Sequence, residues 1–381
     1  MAGIYIHVPF CRQKCHYCNF FSLASKKYIK GFEKFLITEL ALQRDYLSGS
    51  EITSIYFGGG TPSLMDSYGL KLIIDEISKC FVLSPDAEIT LEANPDDLNL
   101  NYLKSLYSSG INRLSIGIQS FHNADLTWLN RVHSSEQAES CIKMAYESGI
   151  SNLSIDLIYG IPGLTTAKWD YNLSKLEQFN IKHFSAYWLT VESKTALDQL
   201  IRKKKVEEPA ESLGIEHFHL LKQWAKEHDF DHYEISNFCK TGFQARHNTA
   251  YWTGQSYLGL GPSAHSYNGI SRQWNVANLE QYRSEISSGN LQFEKEILTE
   301  VQFYNEYVMT SLRTNKGCDS GSIRERFGDK YYHQFVDLAG FYYSEGLLES
   351  HNGIYFLTEQ GMLLADHITT DLFQTDDNNE D

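Results

Sequence analysis

An α/β fold organised as a partial TIM-type (β/α)6 barrel, with a smaller C-terminal domain that is mostly helical and winged-helix-like, is predicted by three features of the 381-residue sequence. A short β-branched or aromatic run followed by an amphipathic helix recurs six or seven times up to about residue 238. Glycines and side chains suited to chemistry stand directly after those runs, where the active residues of such barrels gather. From about Thr299 the rhythm changes to consecutive helices and then a hairpin.

Strands are expected to begin near Ile4, Ile52, Ala87, Asn112, Asn152, His183 and His232. Between them, helices are expected from Lys26 to Leu47, Leu70 to Cys80, Asn101 to Ser109, Glu136 to Ser148, Ala167 to Phe179 and Ala210 to His228. Ser134 with Gln137 makes a capping box, and Gly110 and Gly149 stand where a helix ends in the left-handed conformation. A βαβα series with helices of this length implies parallel strands joined by right-handed crossovers. After successive strands come the cysteine loop, Gly58-Gly59-Gly60-Thr61-Pro62, Glu92, Gly117-Ile118-Gln119-Ser120 and Asp156. Singly, a triple glycine is a tight turn and a strand-end Glu a salt-bridge partner; in order at one end of parallel strands, they converge.

Residues 1–238 are assigned to the barrel, 239–298 to a connecting segment and 299–381 to the C-terminal domain. In the last, helices are expected near Val301 to Leu312, Ser320 to Phe327 and Tyr331 to Glu345. Two short strands joined at His351-Asn352-Gly353 follow, then one helix from a capping Thr358 to about Leu372, and an acidic end, Gln374 to Asp381, expected to fray. Such a domain often means DNA binding. The formal net charge of −15 argues against it, because phosphate contacts need a basic face. The expected role is instead a cover for the barrel mouth or a partner surface.

Cys11, Cys15 and Cys18, spaced C-x3-C-x2-C, follow the first strand. Three thiolates in one short loop can grip a metal centre, and soft sulfur selects zinc, copper(I) or an iron–sulfur cluster. Structural zinc wants a fourth ligand. His16, wedged between Cys15 and Tyr17, points elsewhere and His7 is further off, so zinc is the minor alternative. A four-iron cluster normally takes four cysteines, so three would leave one iron open to a non-protein ligand. The other four of seven cysteines, Cys80, Cys141, Cys239 and Cys318, have no framework spacing, which suits a reducing compartment. The chain opens straight into a strand and has no run of about 18 apolar residues, so a cytoplasmic protein without a membrane span is expected.

The cysteine loop preceded by Tyr5-Ile6-His7-Val8-Pro9-Phe10 resembles the radical-SAM superfamily and, within it, the oxygen-independent coproporphyrinogen III oxidase family. The resemblance extends over nearly the whole chain. It implies a [4Fe–4S] cluster whose open iron is chelated by S-adenosylmethionine (SAM). It also implies that Gly59, Gly60 and Thr61 bind the methionyl amino group and that Tyr5 and Tyr17 lie against the cofactor. Glu92, Gln119, Arg131 and Asp156 would make polar contacts to it, with Ala186 on its adenine side. Lys194 departs from the pattern, standing where glycine is expected.

The oxidase branch has a further cysteine two residues after the third, and here that position is Phe20. Cys-Asn-Phe, together with His247-Asn248-Thr249-Ala250-Tyr251-Trp252, resembles the HemW-type branch of heme chaperones. That implies heme as cargo, His247 as a heme contact, Tyr251 and Trp252 as flat apolar surface, and apo-hemoproteins, respiratory ones at the membrane, as recipients. The alternative function is an oxygen-independent coproporphyrinogen III dehydrogenase that decarboxylates two propionates. Another radical-SAM reaction is the third.

Overall fold

The computed structural model describes residues 1–25 and 27–375. Six strands lie side by side in chain order, all parallel: β1 (Ala2–Val8), β2 (Ile52–Gly59), β3 (Leu83–Ala93), β4 (Arg113–Gln119), β5 (Asn152–Tyr159) and β6 (His183–Trp188). Helices α1 (Phe32–Leu42), α2 (Ser67–Cys80), α3 (Leu100–Ser108), α4 (Asn123–Trp128), α5 (Ser135–Glu147) and α6 (Thr166–Gln178) connect them, with α7 (Ala196–Arg202) and α8 (Glu211–Glu227) after β6. The helix expected from Lys26 to Leu47 is shorter at both ends. Gly31 has φ +86°, a conformation no helix interior admits, and Lys26 lies outside the described residues.

The six strands do not close on themselves. β6 pairs antiparallel with β8 (Asn237–Cys239), which pairs with β7 (Asp231–Glu234). On the other side β1 pairs with β9 (Ser256–Leu260), and β10 (His265–Tyr267), β11 (Ser271–Asn275) and β12 (Phe293–Ile297) continue the same sheet. Residues 239–298, expected as a connector, therefore carry four strands of the main sheet, besides α9 (Arg246–Trp252) and α10 (Leu279–Ser288). α9 packs on β1 and β2.

Alternation along a strand sends successive side chains to opposite faces. Outward, Ile4, Ile6, Ile55, Phe57, Leu91, Leu114, Ile116, Leu153 and Ile155 bury against the helices. Inward stand Ser54, Tyr56, Glu88, Glu92, Arg113, Ser115, Ser154, Asp156, His183 and Ser185. This interior is polar and internally bonded, as in Ser154 Oγ with His183 Nδ1 at 2.7 Å and Ser185 Oγ to Asn237 Oδ1 at 2.7 Å. The same alternation aims Glu92 and Asp156 at the mouth.

The C-terminal domain has its own core, built from Tyr304, Val308 and Leu312 of α11 (Glu300–Leu312), Ile323 of α12 (Ser320–Phe327) and Phe335 and Ala339 of α13 (Asp329–Ser344). Its sheet joins β13 (Cys318–Asp319) to the hairpin of β14 (Leu348–His351) and β15 (Ile354–Leu357). Asn352 and Gly353 have φ of 53° and 81°, so the hairpin closes in the two-residue turn with both central residues left-handed. The single final helix expected after Thr358 is two, α14 (Glu359–Leu363) and α15 (Ala365–Asp371), because Leu364 leaves helical geometry at φ −115°, ψ 18°. The acidic end from 376 onward lies outside the described residues.

This domain docks on the β7–β8 turn, where Ile235 N donates to Arg313 O at 3.0 Å and Asn315 N to Tyr233 O at 3.1 Å. Arg272 pairs with Glu306 at 2.5 Å. The expectation of a cover for the barrel mouth is corrected: the residues lining that mouth all precede position 193. Among the described residues no helix is long and apolar enough to cross a membrane.

Candidate functional site

The cysteine loop leaves β1 at Val8 and is pinned from several sides. Phe10 buries its ring edge-on against Phe32, centroids 5.1 Å apart. Cys11 N donates to Leu23 O at 3.0 Å and Leu23 N to Pro9 O at 2.7 Å. Arg12 Nε donates to Asp97 Oδ1 at 2.6 Å, Gln13 Nε2 to Asn130 Oδ1 at 2.6 Å, and Asn130 Nδ2 to Lys14 O at 2.9 Å. His16 points away from the sulfurs, as its position between Cys15 and Tyr17 requires, and hydrogen-bonds Trp128 O through Nδ1 at 3.0 Å.

The three cysteines line one cavity of about 460 Å³ together with Tyr17, Gly59, Gly60, Thr61, Glu92, Gln119, Arg131 and Asp156. Eight of the ten residues that the resemblance assigns to SAM thus meet the cysteines at the mouth. Among the described residues, no three or more His, Cys, Asp or Glu side chains are gathered closely enough to hold one metal ion. Three thiols lining one cavity are a donor set that a four-iron cluster can use, its ligands binding separate irons.

Glu92 and Asp156 sit at the cavity floor. Burial pushes the Glu92 carboxyl up to about 7, against the pull of hydrogen bonds from Tyr56 OH at 2.8 Å and Gly59 N at 3.2 Å. Burial likewise raises Asp156 to about 6, although Ser115 Oγ donates to it at 3.2 Å. Neither is in an ion pair with a described residue. Arg131 reaches across, Nη2 donating to Asn94 Oδ1 and Gly117 O, both at 2.6 Å, and Nη1 to Cys15 Sγ at 3.4 Å. Thr61 Oγ1 donates to Cys11 Sγ at 3.5 Å and accepts from Asn94 Nδ2 at 3.2 Å.

Gln119 reaches the cavity through a bulge. The pairing of β4 with β5 slips between Gly117 and Gln119, and Gln119 has φ +67°. The glycine turn is held close to the cysteine loop: a Cβ at Gly60 would stand 2.8 Å from the carbonyl oxygens of Val8 and Phe10, and one at Gly59, φ +107°, 2.6 Å from the His7 ring. Lys194, where glycine was expected, has φ +66°, the region glycine favours.

Three expected site residues do not line the mouth. Tyr5 lies deeper, its hydroxyl 3.1 Å from His7 Nδ1 and its ring 6.2 Å from that of Tyr56. Ala186 is strand core at 3% exposure, its N–H donating to Ser236 O at 2.8 Å. His247 enters the barrel interior from α9. Its Nδ1 is 2.9 Å from Ser54 Oγ, its Nε2 is 3.1 Å from Tyr251 OH, and its ring stacks on Tyr56 at 5.1 Å. Both ring nitrogens are engaged, and burial pushes the imidazole down to about 3.

Asn94, Tyr56, Ser115 and Tyr187 were not singled out from the sequence. Tyr56 and Ser115 stand two residues before Gly58 and Gly117 of the expected motifs, Tyr187 follows Ala186, and Asn94 follows the end of β3. Strand alternation was the available signal for Tyr56 and Ser115.

Residues 5–173 match the family described as the Radical SAM superfamily, and residues 298–364 match the HemN C-terminal domain. The chain is 32% identical to the heme chaperone HemW of Bacillus subtilis (strain 168), over 97% of this chain and 98% of that protein. It is 30% identical to the mitochondrial radical S-adenosyl methionine domain-containing protein 1 of Bos taurus, over 96% of this chain and 82% of that protein. Among solved structures, coproporphyrinogen III oxidase (HemN) from Escherichia coli, described as a radical SAM enzyme, superposes with a TM-score of 0.84 at 21% identity, covering 98% of this chain and 90% of that one. That likeness establishes the α/β radical-SAM fold. Full-length identity at this level to proteins of one kind, on a scaffold that gathers the motif cysteines at the barrel mouth, places the chain: it belongs to the HemW heme-chaperone family of the radical SAM superfamily.

Proposed function

We propose that this protein is a heme chaperone that binds a [4Fe–4S] cluster through Cys11, Cys15 and Cys18, SAM in the same mouth cavity, and heme as cargo for apo-hemoproteins, respiratory ones among them, in the cytoplasm. The observation that carries the cofactor half is the shared cavity: three thiols on one wall and two buried, unpaired carboxyls on its floor. Burying a carboxylate is costly, and of the two only Asp156 feels nearby guanidiniums, those of Arg113 and Arg131, so the pair suits a ligand that brings an ammonium group and hydroxyls. When bound, a four-iron cluster with three protein ligands supplies one iron able to accept a non-protein chelate. Gly59 to Thr61 let that ligand approach the backbone, and Arg131 ties the cysteine loop to Asn94 and the end of β4.

Phe20 supports the chaperone reading over the coproporphyrinogen dehydrogenase. It stands on the cavity rim, 62% exposed, where the oxidase-branch pattern calls for a cysteine, and a phenyl ring neither ligates metal nor exchanges a proton. The decisive experiment is anaerobic. Reconstituted chain is expected to hold about four irons with matching sulfide, to bind SAM and stoichiometric heme, and to leave coproporphyrinogen unchanged. Replacing Cys11, Cys15 or Cys18 singly by Ala should reduce iron to background. One zinc per chain with no sulfide would overturn the cluster, and stoichiometric protoporphyrinogen formation would overturn the chaperone reading.

A further inference from the structure

The motif that follows Ala245 poses a question that the barrel mouth does not answer. His247 is sealed inside the barrel, yet Tyr251, whose hydroxyl bonds the His247 ring, and Trp252 of the same short helix reach a different space. They form one wall of a second cavity, of about 610 Å³, between the barrel and the C-terminal domain. No residue is shared with the mouth cavity. Its size falls within the roughly 300–1,000 Å³ of small-molecule sites, which favour domain interfaces.

The walls are aromatic. Tyr251, Trp252, Tyr257 and Tyr267 come from the barrel side, and Phe303 and Tyr307 from α11. Tyr251 and Tyr257 meet edge to face at 4.6 Å, and all six rings are only half-buried. Such rings offer faces to a flat apolar ligand. The rim carries three cations, Arg272, Lys316 and Arg326, against two carboxylates, Glu306 and Asp319. Arg272 is paired with Glu306, but Lys316 and Arg326 have no ion-pair partner among the described residues, and the Arg326 guanidinium lies over the Tyr307 ring at 4.6 Å. Two unpaired cations beside an aromatic slot, on a chain of net charge −15, match a planar ligand with carboxylates on one edge. The Thr249 hydroxyl, buried in the wall, has no hydrogen-bond partner.

We infer that this interdomain cavity is the tetrapyrrole site, holding the macrocycle between the α9–β9 aromatics and α11 with its carboxylates toward Lys316 and Arg326. The inference rests on the proposed heme-chaperone function and adds the place. His247 is not the iron ligand in this arrangement, and Met309 stands in the cavity wall where an enlarged side chain would obstruct it.

The test titrates ferric heme into the full chain, following the Soret band and the quenching of tryptophan fluorescence. Lys316→Glu and Arg326→Glu, both at exposed positions, should each weaken heme on the order of tenfold, as expected for reversing a charge that faces a carboxylate. Met309→Trp should weaken it by obstruction. SAM affinity and thermal melting should stay at wild-type values in the two charge variants. Saturating SAM should leave heme affinity unchanged. Wild-type binding with unaltered affinity in all three variants, or competition between SAM and heme, overturns the placement alone. Absence of heme binding by the wild type overturns the heme reading itself.

Discussion

His247 illustrates how residue identity and residue role separate. Its place in a chaperone-like motif made it a heme contact, while the folded chain uses it as a bracket between Ser54 on β2 and Tyr251 on its own helix. Replacing it with Ala removes a buried ring and leaves both hydroxyls unpartnered, a loss of about 2–4 kcal/mol. Equilibrium unfolding would measure that loss. The Soret band of heme-loaded His247→Ala should keep its wild-type shape, since no axial ligand has gone; a changed band would return the histidine to the iron. Glu92 behaves differently. Its carboxyl, raised by burial to about 7, is held by Tyr56 and Gly59 and is in no ion pair with a described residue, the condition of a side chain placed for a ligand.

At the scale of elements, the joints between strand and loop carry the tightest constraints. Gly60 is a joint between β2 and the cysteine loop, because any Cβ there meets the carbonyls of Val8 and Phe10, which are backbone and cannot swing aside. Gly60→Ala should therefore displace the segment that carries Cys11, costing about 1–3 kcal/mol. Iron content and SAM affinity are expected to fall together. Iron measured at the wild-type level with SAM binding lost would mean that Gly60 serves the cofactor alone. Helix ends were legible by contrast. Ser134 and Gln137 form the expected capping box, and Gly110 and Gly149 end their helices at φ 104° and 98°.

For the whole molecule, the polar barrel interior makes stability depend on pH. Burial holds seven histidines below their usual range, with His133, His232 and His247 at about 3, His217 at about 4, His183 well below it, and His7 and His265 lowered as well. Unfolded, each takes a proton near pH 6.5, so the stability they contribute is present above that pH and lost as pH falls through it. Glu39 and Glu92, raised by burial to about 7, and Asp156, raised to about 6, act in the opposite sense between their unfolded and folded values. Seven histidines are lowered, His7 and His265 included, against six carboxyls raised, Asp97, Glu234 and Glu306 included, so the two sets largely offset and acidification leaves a small net loss. The Tm of cluster-free chain should fall between about pH 6.5 and 5, and a rise would contradict the assignment of these histidines as buried and neutral. Short-range pattern was sufficient for the order of the parallel strands, the capped helices, the cysteine loop and the strand-end residues. Those depend on periodicity, on cap chemistry and on the rule that parallel strands end together. The sequence alone did not determine that residues 239–298 extend the sheet, that Gln119 enters the cavity by a bulge, that His247 is interior, or that the C-terminal domain leaves the mouth open and borders a second cavity. Each depends on contacts between segments distant in sequence, as between His247 and Ser54 or Arg313 and Ile235, and only the packed chain brings those segments together.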